Sequence, residues 1–209
     1  MQTDRRLVVR GAVQNIEMIP GGEHYVDIRV DLELTFTNTG STPLIILKPG
    51  NGLPAQMYCQ GGQALALTKV HAQRGEFIWN DQAWPSVDTS PVFRQISERL
   101  DQKEPPAEFT LTLNPQSPWK WRTLITIRFY TQTNSCCSAH DLGWEVISKI
   151  DAPLWLRLYF GTWPVNLERA DPGIRKRLQR RWKSMGSLFA SDVLVTEPIE
   201  VRLSEIKRT

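Results

Sequence analysis

From Tyr25 to Phe36 the chain alternates apolar and polar residues without a break. Val26, Ile28, Val30, Leu32, Leu34 and Phe36 fall on one set of positions, and Asp27, Arg29, Asp31, Glu33 and Thr35 on the other. A period of two puts these sets on opposite faces of a pleated strand, whereas a helix would spread the apolar set around its circumference. The segment is therefore a strand with a core face and a wet face. Asn38-Thr39-Gly40-Ser41 then turns the chain, and Thr42 to Leu47 follows as a second strand, closing at Lys48-Pro49-Gly50-Asn51-Gly52.

Further strands are predicted along the chain. Leu7 to Met18 is a broken candidate with Gly11 inside it, read as a bulge. Ala64 to Val70, Glu76 to Trp79 and Glu108 to Leu113 are short. Trp119 to Tyr130 sets Trp121, Ile125, Ile127 and Phe129 against Lys120, Arg122, Thr126 and Arg128. Leu154 to Phe160 puts Leu154, Leu156, Leu158 and Phe160 on one face. Val193 to Val195 and Ile199 to Leu203 close the chain, and Pro198 marks an edge or bend between them. Half-polar strands in succession, with few helices between them, argue for antiparallel pairing rather than βαβ units. Two helical insertions interrupt the strands, near 90–101 and 171–185. Ser90 with Pro91, and Asp171 with Pro172, supply the start signals. The second helix carries the stripe Ile174, Leu178, Trp182 and Met185 and ends at Gly186.

Val26 to Asn38, the turn Asn38-Thr39-Gly40-Ser41-Thr42-Pro43, the apolar return Leu44-Ile45-Ile46-Leu47 and the closing Thr196 to Leu203 together resemble the bacterial immunoglobulin-like β-sandwich domains. The resemblance implies an all-β, antiparallel immunoglobulin-like β-sandwich and a bias toward binding, with no active site. The chain, at 209 residues, departs from that family in length, because such domains have about 100 residues. We read it as one domain, residues 1–209, with the two helices inserted.

A formal net charge of +3 is too mild to specify a partner, but its distribution is informative. Between Arg169 and Lys183, seven basic residues face Asp171 alone, a net +6, so the rest of the chain sums to −3. Arg175, Arg177, Arg180, Arg181 and Lys183 are the candidate contacts of this segment. It is read in three ways: as a solvated face, as a surface for an acidic protein or an anionic membrane, or, least favoured, as a nucleic-acid site supplemented by Lys120, Arg122 and Arg128. A second candidate surface is the non-core face of the late strand, with Trp155, Arg157, Tyr159 and Trp163. Trp, Tyr and Arg are enriched at interface hot spots. The favoured reading of the same residues is a second core under the basic helix or a long loop, and the least favoured a carbohydrate platform.

Catalytic and metal signals are sparse. Cys136-Cys137-Ser138-Ala139-His140-Asp141 lacks the second ligand pair of a structural zinc site, and a Cys137–His140 nucleophile has no orienting third group. Asp27, Asp31 and Glu33 read as solvated charge with cross-strand partners rather than as a glycosidase or calcium pair. The three cysteines, Cys59, Cys136 and Cys137, read as reduced thiols. Without a signal-like apolar run near Met1 the chain reads as cytoplasmic; a signal or lipid anchor upstream would place it outside. The expectation is a non-enzymatic interaction or assembly module, an accessory subunit of a larger complex, with no cofactor. A carbohydrate-active hydrolase and a nucleic-acid binder are the alternatives.

Overall fold

The computed structural model describes residues 6–20, 23, 25–48, 55–59, 70–72, 90–130, 148, 154–160, 162–163, 165–190 and 194–208. The fold is mostly β, with antiparallel sheets and three α-helices among the described residues. Five strands form the largest sheet: β1 (Leu7–Pro20), β2 (Tyr25–Asn38), β5 (Val70–Ala72), β7 (Trp119–Tyr130) and β12 (Lys207–Arg208), in the order β12-β1-β2-β7-β5. β3 (Leu44–Leu47) lies between β6 (Thr110–Leu113) and β9 (Ser187–Leu188). β8 (Leu154–Phe160) pairs with β4 (Ala55–Cys59), β10 (Leu194–Val195) and β11 (Ile199–Val201). The helices are α1 (Ser90–Leu100), α2 (Val165–Ala170) and α3 (Ile174–Arg181).

The alternation in β2 produces the burial it predicts. Ile28, Val30, Leu32, Leu34 and Phe36 are fully buried, and the intervening residues are half-buried. The wet face carries cross-strand pairs. Arg29 reaches Glu17 at 3.0 Å, and Glu33 is 2.7 Å from Lys120 and 3.9 Å from Arg122. Asn38 ends the strand with its side chain buried and satisfied. Its Nδ2 donates to the carbonyls of Thr42 (2.8 Å) and Leu113 (2.9 Å), and its Oδ1 accepts from Gly40 N–H at 2.9 Å. This one side chain shapes the turn into β3 and ties it to β6.

β1 is longer than its broken pattern suggests, because a register shift between Val13 and Asn15 absorbs the fault. The bulge is therefore not at Gly11. That residue is small for a different reason: a Cβ there would collide with Cδ1 of Ile199, so β11 packs directly on the backbone of β1. Two of the shortest strand pairs, β1 with β12 and β3 with β9, are parallel, an exception to the antiparallel expectation. Pro198 stands between β10 and β11, which pair with successive parts of β8.

Among the described residues two apolar clusters make the core. The first draws on all three sheets, with Val30, Leu32, Phe36, Ile125, Leu156 and Ile199 among its members. The second lies under the helices and includes Phe93, Ile96, Leu100, Ile174, Leu178 and Trp182. β3 belongs to both: Leu44 and Ile46 face the first cluster, Ile45 and Leu47 the second. Its uninterrupted apolar run is the signature of a strand buried on both faces.

The second predicted helix is corrected by the structure. Instead of one helix over 171–185 there are two, α2 and α3, with Asp171-Pro172-Gly173 between them. Asp171 does not cap α3, because its carboxylate accepts from Ser97 Oγ and Arg177 instead. Gly173 holds the N-cap position with φ 85°, a left-handed conformation suited to glycine. α3 stops at Arg181, and residues 182–185 form a turn rather than a further helical turn. Of the predicted strand at 64–70 only Val70, which opens β5, is described; the predicted strand at 76–79, the loop at 132–142 and its Cys-Cys-Ser-Ala-His-Asp segment lie outside the described residues.

Candidate binding groove on the basic helix

Helix α3 and the turn residue after it divide their circumference three ways. At about 100° per residue, Ile174, Leu178 and Trp182 share one arc, Arg175, Gln179, Lys176 and Arg180 the next, and Arg177 with Arg181 the last. The apolar arc is buried in the helical cluster, where Trp182 Nε1 donates to the Gln102 carbonyl at 3.1 Å. Each of the other two arcs has its own chemistry.

The arc of Arg177 and Arg181 is committed to the protein itself. Arg177 donates to both carboxylate oxygens of Asp171, at 3.0 and 2.7 Å, and its Nε lies 3.8 Å from Asp101. Arg181 Nη1 lies 2.6 Å from the Asp101 carbonyl and 2.6 Å from its carboxylate. Ser97, buried on α1, donates to the same Asp171 carboxylate. The Arg177 hydrogen bond, aided by that from Ser97, holds the Asp171 carboxyl below its ordinary range, and Asp171 raises Arg177 in turn. These two arginines fasten α1 to α3 and are spent as partner contacts.

Arg175, Lys176, Gln179 and Arg180 instead line an open groove of about 1010 Å³. Trp163 and Leu188 form its floor, and Glu168 of α2 its wall. The floor offers little apolar surface, since Trp163 is 3% and Leu188 7% exposed. Arg175, Lys176, Gln179 and Arg180 bring side-chain donors to the lining, and several are braced. Arg175 Nη2 donates to the Ala190 carbonyl at 3.2 Å, and Arg180 Nε to the Lys176 carbonyl at 3.4 Å. Gln179 Oε1 accepts from Leu188 N–H at 2.8 Å, which leaves the amide nitrogen as its donor end. Glu168 Oε1 accepts from Gly173 N–H at 2.9 Å, whereas its buried Oε2 has no hydrogen-bond partner among the described residues. Among the described residues of the lining, three cations stand against one carboxylate, a net charge of +2.

The sequence-derived residues thus separate. Arg175 and Arg180 line the groove, half-buried Arg177 and exposed Arg181 are paired with Asp171 and Asp101, and Lys183 is exposed beyond the helix end. Lys176, Gln179 and Glu168 were not among the candidates, although helical spacing places Lys176 beside Arg180. The late-strand ladder is not continuous. Trp163 lies beyond β8 and packs into the helical cluster, Trp155 and Arg157 are half-buried on β8, and the Tyr159 side chain lies outside the description. Lys120 and Arg122 pair with Glu33 on the large sheet and do not line the groove. The Glu33 carboxyl is lowered, chiefly by the Lys120 hydrogen bond.

Among the described residues no group of His, Cys, Asp and Glu is placed to hold a metal ion, and no helix is long and apolar enough to cross a membrane. No family model, curated protein or solved structure matches the chain.

Proposed function

We propose that this protein is a non-enzymatic interaction module that docks an acidic segment of a protein partner in the α3 groove. The scaffold behind it is read as an immunoglobulin-like sandwich, with the five-stranded sheet facing the two smaller sheets across the first core cluster. The observation that carries the proposal is the division of the basic helix. Arg177 and Arg181 are paired with carboxylates of the protein itself, whereas Arg175, Lys176 and Arg180 are exposed around a groove whose described lining carries a net charge of +2. Cations with neighbouring carboxylates need no partner; cations gathered around a concavity favour an anionic one. A protein segment is favoured over a membrane because the only exposed large apolar residue among those described is Val195, 36% exposed on β10.

The test is fluorescence anisotropy with a labelled oligoglutamate peptide. Binding should weaken steeply with added salt, because the contacts are exposed and screened. The variant R175E/K176E/R180E should abolish it, while R94E/K103E/K183E, the same change of charge on exposed residues outside the groove, should retain most of it. Loss in both variants alike, or in neither, would overturn the groove reading. Preferential binding of a single-stranded oligonucleotide, or of vesicles rich in phosphatidylserine, would replace the protein segment with that partner.

A further inference from the structure

The groove lining has an internal repeat that narrows what it can recognise. Arg175 and Lys176 form one donor station, and Gln179 and Arg180 a second, four residues further along α3. Four residues of helix rise about 6 Å. In an extended segment, side chains two residues apart share a face and are separated by about 6.6 Å, whereas adjacent side chains point to opposite faces. We infer that the groove reads a pair of carboxylates at alternate positions of an extended acidic segment, one at each station. This inference rests on the acidic-segment reading above and goes beyond it by fixing a spacing.

The bracing of the donors supports fixed stations over a diffuse positive field. Arg175 is tethered at Ala190, Gln179 at Leu188 and Arg180 at Lys176, so their remaining N–H groups are partly positioned before an anion arrives. The stations also differ. Glu168 is hydrogen-bonded to Gly173, immediately before α3, so its carboxylate stands at the helix end carrying Arg175 and Lys176. It opposes a carboxylate at that station, and no other carboxylate among the described lining residues stands at the Gln179–Arg180 station.

Two measurements test this on the full chain. In the first, unlabelled Gly/Ser peptides carrying two glutamates compete with labelled oligoglutamate, the glutamates being adjacent, separated by one residue, or separated by five. The peptide with one intervening residue should displace the probe about fivefold more effectively than either of the others. Equal displacement across the series, or none, overturns the paired-station inference while the acidic-segment reading stands. Failure of oligoglutamate itself to bind removes both. In the second, Glu168→Gln retains an oxygen for Gly173 and removes the opposing charge. Oligoglutamate affinity should rise about threefold or more. Unchanged or weakened affinity would mean that no carboxylate enters the station beside Glu168.

Discussion

Replacing Asp171 with Ala should cost the fold about 2–3 kcal/mol, and the estimate can be built from its contacts. The carboxylate receives two Arg177 N–H donors, at 3.0 and 2.7 Å, and the hydroxyl of Ser97. The Asp171 side chain is 26% exposed and that of Arg177 34%, so the ion pair is discounted for screening to about 1 kcal/mol. Ser97 is 3% exposed, and losing its acceptor leaves a buried hydroxyl unsatisfied, adding about 1–2 kcal/mol. Arg177 keeps only the more distant Asp101 carboxylate, 3.8 Å from its Nε. Urea unfolding followed by circular dichroism should show a lower midpoint with an unchanged slope. The effect should also depend on pH with a definite sign. The folded-state pKa of Asp171 is lowered, so its contribution is present above the unfolded-state value and is lost as pH falls through the folded one. Wild type and variant should therefore converge in acid. A cost under about 0.5 kcal/mol at neutral pH, or a gap that persists unchanged in acid, would refute the account of Asp171 as the fastening between α1 and α3.

Two further substitutions probe the sheets. Asn38→Ala removes partners from the carbonyls of Thr42 and Leu113 and from Gly40 N–H, and chemical unfolding should show a loss of about 2–4 kcal/mol. Gly11→Ala pushes a methyl group into Ile199 and should cost about 1–3 kcal/mol; adding Ile199→Val should recover part of it, and a strictly additive double variant would refute the contact.

The sequence disclosed most where one physical pattern acted alone. β2 could be read from period two because one of its faces is deeply buried and the other carries charge. β7 and β8 were found with their bounds for the same reason. β3 was legible as a strand, but its role was not: a four-residue apolar run does not say which cluster each face will meet. The division between α2 and α3 was hidden because Asp171-Pro172 looks like a helix start whether or not the carboxylate caps anything. Only Ser97, 74 positions away on α1, and the nearby Arg177 decide that it does not. The candidate site failed in the same way. Local charge marked α3, but sorting Arg177 and Arg181 from Arg175 and Arg180 needed Asp101, a carboxylate 80 residues from Arg181. Trp163 was grouped with the β8 face because strand alternation was extended past Phe160, where β8 ends; it packs into the helical cluster, in line with the second-core alternative.

β3 has a consequence for cooperativity. A four-residue strand that closes both apolar clusters cannot act as a hinge between them, because opening either cluster bares one of its faces. Sheets and helices should then melt in a single transition, with no stable intermediate in which one half persists. Thermodynamic linkage follows. Whatever occupies the α3 groove binds only the folded helices, so its binding free energy should also protect amides deep in β2, on the far side of that shared wall.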